Sequence, residues 1–179
     1  DMASTLKINN LDTASGSTIT IPTGKQLIVT DEGAVRVPGT VLQTIYAVHG
    51  TAQNSIGGGA VDTGLTATIT PKSTSSKVLI IASHHFRLSA GTSDAGVGFR
   101  IMRGSTVAYT YGTAYRNYIY SGVGGSALEF RGSDTIMHLD SPSTTSATVY
   151  KTQATKYNVA INLQSDANKS SMVLMEIAQ

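Results

Sequence analysis

Residues 65–85 read LTATITPKSTSSKVLIIASHH. In the first part, Leu65, Ala67 and Ile69 alternate with threonine, the pattern of a strand with one apolar face. Pro71 ends it, because proline has no N–H to give to a central ladder. A Ser/Thr cluster follows as a turn. Lys77 to His85 then carries a continuous apolar stretch, the pattern of a strand buried on both sides.

The same signals extend outward in both directions. Val41 to His49 (VLQTIYAVH) alternates, and Asn54 to Ala60, with Gly57, Gly58 and Gly59 in a row, reads as a loop. In Gly96 to Arg103, Val97, Phe99 and Ile101 alternate with Gly98, Arg100 and Met102. Gly104-Ser105 turns the chain, and Val107 to Tyr111 returns as the second arm of a hairpin. Ala127 to Arg131 and Thr135 to Leu139 are shorter candidates. Ala147 to Ala154, Tyr157 to Leu163 and Met172 to Ala178 complete the set. No stretch shows a capped 3.6-residue apolar period. The expectation is an all-β chain, with about eight strands forming a two-sheet, jelly-roll-like sandwich over 39–179.

Residues 1–38 follow a different rule. Leu11, Ile19, Leu27 and Val35 are spaced by eight, as are Thr13, Ile21, Val29 and Val37. Turn residues separate them: Ser15-Gly16, Pro22-Thr23-Gly24 and Asp31-Glu32-Gly33. Each unit reads as a very short strand and a turn. So few units bury no core alone, and short β repeats are stable when something stacks on them. The simplest partner is another copy of the chain. Leu11, Ile19, Ile21, Leu27, Val29, Val35 and Val37 are therefore the expected trimerisation residues, in a homotrimer joined through this segment.

Composition narrows the function classes. Of 179 residues, 13% are charged, about half the usual share. Roughly a quarter are Ser or Thr. Sparse surface charge fits burial in an assembly better than a free monomer. The net charge is +2 and the basic residues are scattered, so nucleic acid is not an expected partner. There is no cysteine, which excludes disulfides and Cys-based zinc sites. No apolar run reaches bilayer length and no signal peptide is evident, so membrane insertion is not expected.

Several segments resemble one group of proteins. Ile69-Thr-Pro-Lys-Ser-Thr-Ser-Ser-Lys77-Val-Leu-Ile resembles a segment of the β-sandwich domains at the C-termini of phage tail-fibre and virion-surface proteins. Leu139-Asp-Ser-Pro-Ser-Thr-Thr-Ser-Ala-Thr-Val-Tyr150 and the ending Val173-Leu-Met-Glu-Ile-Ala-Gln179 resemble two further segments of that group. Ser4-Thr-Leu-Lys-Ile-Asn-Asn-Leu-Asp12 is similar to the start of structural proteins from phages of marine bacteria and cyanobacteria. The resemblance implies a trimeric virion protein with a sandwich head, assembled in the host cytoplasm and contacting other virion proteins of tail or capsid. It names no receptor.

Few residues suggest chemistry. His84 and His85 are adjacent on a strand, so their rings point to opposite faces and share no metal within one chain. The leading reading is one ring in the core and the other towards solvent or a neighbouring subunit; the alternative is that three copies about an axis form a ring of three imidazoles, a metal or anion site. His49 and His138 are isolated. Gly122-Val-Gly-Gly-Ser-Ala127 matches GxGxxA but lacks a following helix, so it reads as a loop. There is no GxSxG elbow and no HExxH helix. Acids such as Glu129, Asp134 and Asp140 could form a glycosidase pair, since two carboxylates suffice, but Asp140 reads instead as the start of a Ser-Pro turn. The expectation is a non-enzyme with no cofactor and no metal.

The aromatic cluster carries the functional expectation. Tyr109, Tyr111, Tyr115, Tyr118 and Tyr120 fall within twelve positions, with Arg116 and Asn117 among them. Tyrosine pairs an apolar face with a hydroxyl and suits contact with sugars or proteins. Tyr109, Tyr111, Tyr115, Arg116, Tyr118 and Tyr120 are therefore the candidate receptor residues, packing between strands or subunits being the alternative. The leading expectation is a short trimeric fibre or knob that binds a host-surface receptor, with a glycan as the expected ligand. A capsid decoration protein is the alternative, and a polysaccharide depolymerase a third class.

Overall fold

A computed structural model describes residues 20–30, 36–91, 93–112, 115–120 and 128–179. The chain divides into two compact units, Asp1–Asp31 and Glu32–Gln179.

In the first unit, Leu11 and Ile19 lie outside the described residues, as does Val35 in the second. The turn at Pro22-Thr23-Gly24 is present. The Lys25 amide donates to the Pro22 carbonyl at 3.0 Å, and Gly24 takes a φ of 78°, as a type II turn requires at its third position. The short strands expected around it are absent: residues 20–30 contain no strand. A strand exists through its ladder, and this segment has no ladder partner among the described residues. Ile21, Leu27 and Val29 are all exposed, Leu27 at 69%.

The second unit is all-β, with no helix among the described residues. Its strands are β1 (Val41–His49), β2 (Gln53–Ile56), β3 (Val61–Ile69), β4 (Lys77–Ser89), β5 (Ala95–Arg103) and β6 (Thr106–Tyr111). They continue as β7 (Asn117–Ile119), β8 (Glu129–Asp140), β9 (Thr148–Asn158), β10 (Ile161–Leu163) and β11 (Ser170–Ile177). One sheet runs β1-β11-β4-β8, the other β3-β9-β5-β6, all antiparallel. Taking β1, β3, β4, β5, β6, β8, β9 and β11 as eight lanes in chain order, the sheets read 1-8-3-6 and 2-7-4-5. That is the jelly-roll order.

The three remaining strands are continuations of lanes. β10 pairs with β4 at Phe86–Leu88, beyond where β11 pairs with it at Lys77–Ser83, and β2 flanks β10. β7 pairs with Ala95–Val97 of β5, beyond the β6 pairing. The expected loop at Asn54–Ala60 is thus partly strand: β2 pairs there because β10 offers it an edge. The two short candidates around 127–139 are one strand, β8, registered along β4 from Val78↔Asp140 to Ser89↔Glu129.

The core lies between the sheets. Val78, Ile80, Ala82, Phe86 and Leu88 of β4 face Val97, Phe99 and Ile101 of β5, all with at most 1% exposure. Gly132 sits opposite Phe86 in the β4–β8 ladder, and a Cβ there would come within 2.9 Å of the Phe86 ring tip. Gly132→Ala should therefore cost about 1–3 kcal/mol by overpacking, read as a lowered denaturation midpoint.

The two outer faces differ in chemistry. Across the first sheet the register aligns Tyr46, Val173, Ile81 and Met137 in one row. The next row is Thr44, Met175, Leu79 and Leu139. β4 was expected to be covered on both sides, but Leu79 and Ile81 in these rows are only half-buried. The outer face of the second sheet is polar. Lys151 Nζ donates to Asp62 at 2.7 Å, Gln153 Nε2 donates to the other Asp62 oxygen at 2.5 Å, and Arg100 Nε donates to Gln153 at 2.8 Å. The Lys151 hydrogen bond, with that from Gln153, holds the Asp62 carboxyl below its ordinary range.

Candidate functional site

The tyrosines near 109–120 separate into two groups. Tyr109 and Tyr111 pair with Ile101 and Phe99, so they share the inner face of the second sheet. β6 and β8 are the outermost lanes on one side of the sandwich, and these rings close the gap between them. Tyr109 stacks on His138 of β8, with centroids 4.8 Å apart and planes 14° from parallel. The Arg116 guanidinium lies 3.9 Å from the Tyr111 centroid, a cation–π contact. Arg116 also donates to Asp134 of β8 through Nε (2.7 Å) and Nη2 (3.1 Å), and Asn117 Nδ2 donates to the same carboxylate at 2.9 Å. The Asp134 hydrogen bonds raise the Arg116 pKa further. Tyr109, Tyr111 and Arg116 therefore join the two sheets.

The second group faces out. Tyr118 of β7 and Tyr157 of β9 both pair with Gly96 of β5 and so flank it on the outer face. With no side chain between them, their ring centroids approach to 5.8 Å. Tyr115 completes the cluster, 4.4 Å from Tyr157 and 5.5 Å from Tyr118. The Tyr118 hydroxyl donates to Asp94, and that bond pushes its pKa up to about 12. A hydrogen bond with Tyr157 likewise raises Tyr115. Both phenols therefore stay protonated at any physiological pH. Three tyrosine faces and edges over a bare glycine form a shallow, uncharged aromatic surface bordered by one carboxylate. Tyr120 lies just beyond β7 and is exposed.

Tyr157 and Asp94 belong to this surface and were not among the sequence candidates. Tyr157 is far along the chain, and only the lane order brings β9 beside β5. The alternation of Thr148–Asn158 could have placed Tyr157 outward, but not beside Tyr118.

Other candidates take structural roles. His84 is fully buried and His85 half-buried on the opposite face. The His84 ring stacks on Phe99 (4.5 Å, 10°), and its Nδ1 lies 3.1 Å from Ser170 Oγ. Glu129, Asp134 and Asp140 are each engaged by arginine: Glu129 by Arg87 and Arg131, Asp134 by Arg116, Asp140 by Arg103. Asp140 also accepts the Tyr150 hydroxyl at 2.7 Å. It ends β8 inside the sandwich and so does more than start a turn. The Gly122–Ala127 loop lies outside the described residues. No group of three or more His, Cys, Asp or Glu that would hold a metal is present among the described residues.

No family model and no curated protein matches this chain. Among solved structures it is similar to dimeric latent PorU from Porphyromonas gingivalis, at 12% identity and a TM-score of 0.34, over 84% of this chain and 14% of that one. At that level neither fold nor function transfers.

Proposed function

We propose that the chain is a phage virion protein, a short homotrimeric fibre or knob whose sandwich head binds a glycan on the host surface without catalysis. The observation that carries the glycan reading is the cluster of Tyr115, Tyr118 and Tyr157 around Gly96. Sugar rings offer C–H faces to aromatic rings and hydroxyls to phenols and carboxylates, and this surface supplies all three. It lies on the sandwich's polar outer face, where the Arg100–Gln153–Asp62 network keeps the surroundings hydrated. The virion and trimer parts rest on the segment resemblances and on the exposed apolar side chains Ile21, Leu27 and Val29. Three shallow sites on one assembly would bind a repeating polysaccharide by avidity, with each contact weak.

The test is an array of bacterial surface polysaccharides probed with the purified protein. Wild type should bind a subset. Tyr118→Ala combined with Tyr157→Ala should weaken that binding about 10–100-fold, since each aromatic contact contributes about 0.5–1.5 kcal/mol, while the melting temperature stays near that of wild type. Equal binding by the double variant would end the glycan assignment. Imaging of phage particles with a labelled antibody tests the location: labelling of the shell in place of the tail would favour the decoration reading.

A further inference from the structure

The outer face of the first sheet carries no charge across its middle. Its two mainly apolar rows, interrupted by Thr44 on β1, cross all four lanes, and the row beyond them, Val48–Ser171–Ser83–Thr135, is uncharged as well. Three rows of four outward side chains thus carry no charge, where a solvated surface carries charge at roughly a quarter to a third of its positions. The charges that share this outer face, Lys77, Arg87, Glu129 and Arg131, lie at its two ends. Tyr46 is 66% exposed and Met137 56%, so the outer lanes stand proud while the central lanes, with Val173 and Ile81, lie lower.

We propose that this face is an interface with a second copy of the same chain, sandwich against sandwich through β8-β4-β11-β1. Two properties select a copy as the occupant. The first is charge: the uncharged middle of the face laid against its own copy buries no unpaired charge, and interfaces are depleted of charge at their core and polar at their rim. The second is size. Four lanes at about 4.8 Å and strands of about eight residues at about 3.4 Å cover roughly 500 Å². Side-chain corrugation makes the accessible surface larger than that flat area, against the about 800 Å² that a stable interface takes from each partner. The inference is independent of the tyrosine site, which lies on the other sheet; a face laid on its own copy joins heads two at a time, so this contact is additional to the three-fold contact of the amino-terminal segment.

The experiment is sedimentation of the full chain across a dilution series, with two pairs of substitutions. Met137→Glu with Leu139→Glu should weaken association at least about 100-fold, because each copy would bury two unpaired carboxylates. Leu27→Glu with Val29→Glu should leave the head contact in place and so weaken association less. Far-UV circular dichroism and the melting temperature check folding. If the glutamate pair unfolds, Tyr46→Ser with Met137→Ser tests the same face from both outer lanes. A wild type that is monomeric at 100 µM overturns the proposal, whatever its glycan binding. So does an assembly that survives the folded face variants, or one that only the amino-terminal pair dissolves.

Discussion

Acidification from pH 7.5 to pH 5 should lower the stability of the sandwich by about 2 kcal/mol through His84 alone. His84 is fully buried. It is stacked on Phe99 and opposite Asp134 in the β4–β8 ladder. Burial lowers its pKa to about 4, and the nearby Asp134 charge only partly opposes that. In the unfolded chain the imidazole titrates near its ordinary 6.5. Between those values the unfolded state binds more protons than the folded one, so stability rises with pH. The contribution is complete above pH 6.5 and falls progressively towards pH 4, by about 3 kcal/mol in all at 1.36 kcal/mol per pH unit. Burial also lowers His85, with the same sign, but that ring is half-exposed and contributes less. Asp62 and Glu176 are held below the ordinary carboxylate range, so their stabilisation is lost only at more acid pH. The window from pH 7.5 to 5 therefore isolates the histidines. Thermal melts should show a loss of about 4–8 °C across it. His84→Phe, which keeps a ring against Phe99, should remove most of that slope, whereas His85→Gln should remove only a small part of it. A variant at His84 that melts with the wild-type pH slope would refute the assignment.

The sequence signals that worked were those of period two. β1 begins and ends where VLQTIYAVH does, and the hairpin of β5 and β6 turns at Gly104 as its sequence requires. Alternation also separated His84 from His85. What sequence did not show was lateral order. Gly132 and Ser133 weaken the alternation of β8, so its sequence reads as two short strands, yet pairing along β4 holds it together. β2 looked like a loop because four polar-rich residues form a strand only when β10 lies alongside. The apolar run of β4 suggested cover on both faces, and the side chains that carry it outward, Leu79 and Ile81, are continuous with apolar neighbours on three other strands. The tyrosines were visible as a cluster, but their division was not. Tyr109 and Tyr111 share the parity of Ile101 and Phe99 and turn inward, whereas Tyr118 shares that of Gly96 and turns outward to meet Tyr157.

Asp134→Ala should lower stability by about 2–3 kcal/mol and also weaken glycan binding without touching the ligand. Its carboxylate is nearly buried, while the Arg116 side chain is about one-third exposed. The loss should therefore fall below the about 3–5 kcal/mol seen when a wholly buried pair is broken. By contrast, Glu129→Ala at the more exposed Arg87 pair should cost under about 1 kcal/mol. The binding effect follows from connectivity. Asp134 ties Arg116 and Asn117 to the first sheet, and the segment 115–119 carries two of the three rings. Freed of that tie, Tyr115 and Tyr118 must be ordered again when a sugar binds, a cost of about 0.5–1.5 kcal/mol per side chain, or several-fold in affinity. Asp134 is thus a positioning residue, and the Tyr118 phenol reports on it directly. Its pKa, pushed up to about 12 by the bond to Asp94, should move back towards the ordinary value near 10 in a spectroscopic titration of Asp134→Ala. Asp134→Asn, which keeps one acceptor oxygen, should restore part of both effects. A variant that melts early yet keeps wild-type binding and an unmoved Tyr118 titration would confine Asp134 to holding the sheets together.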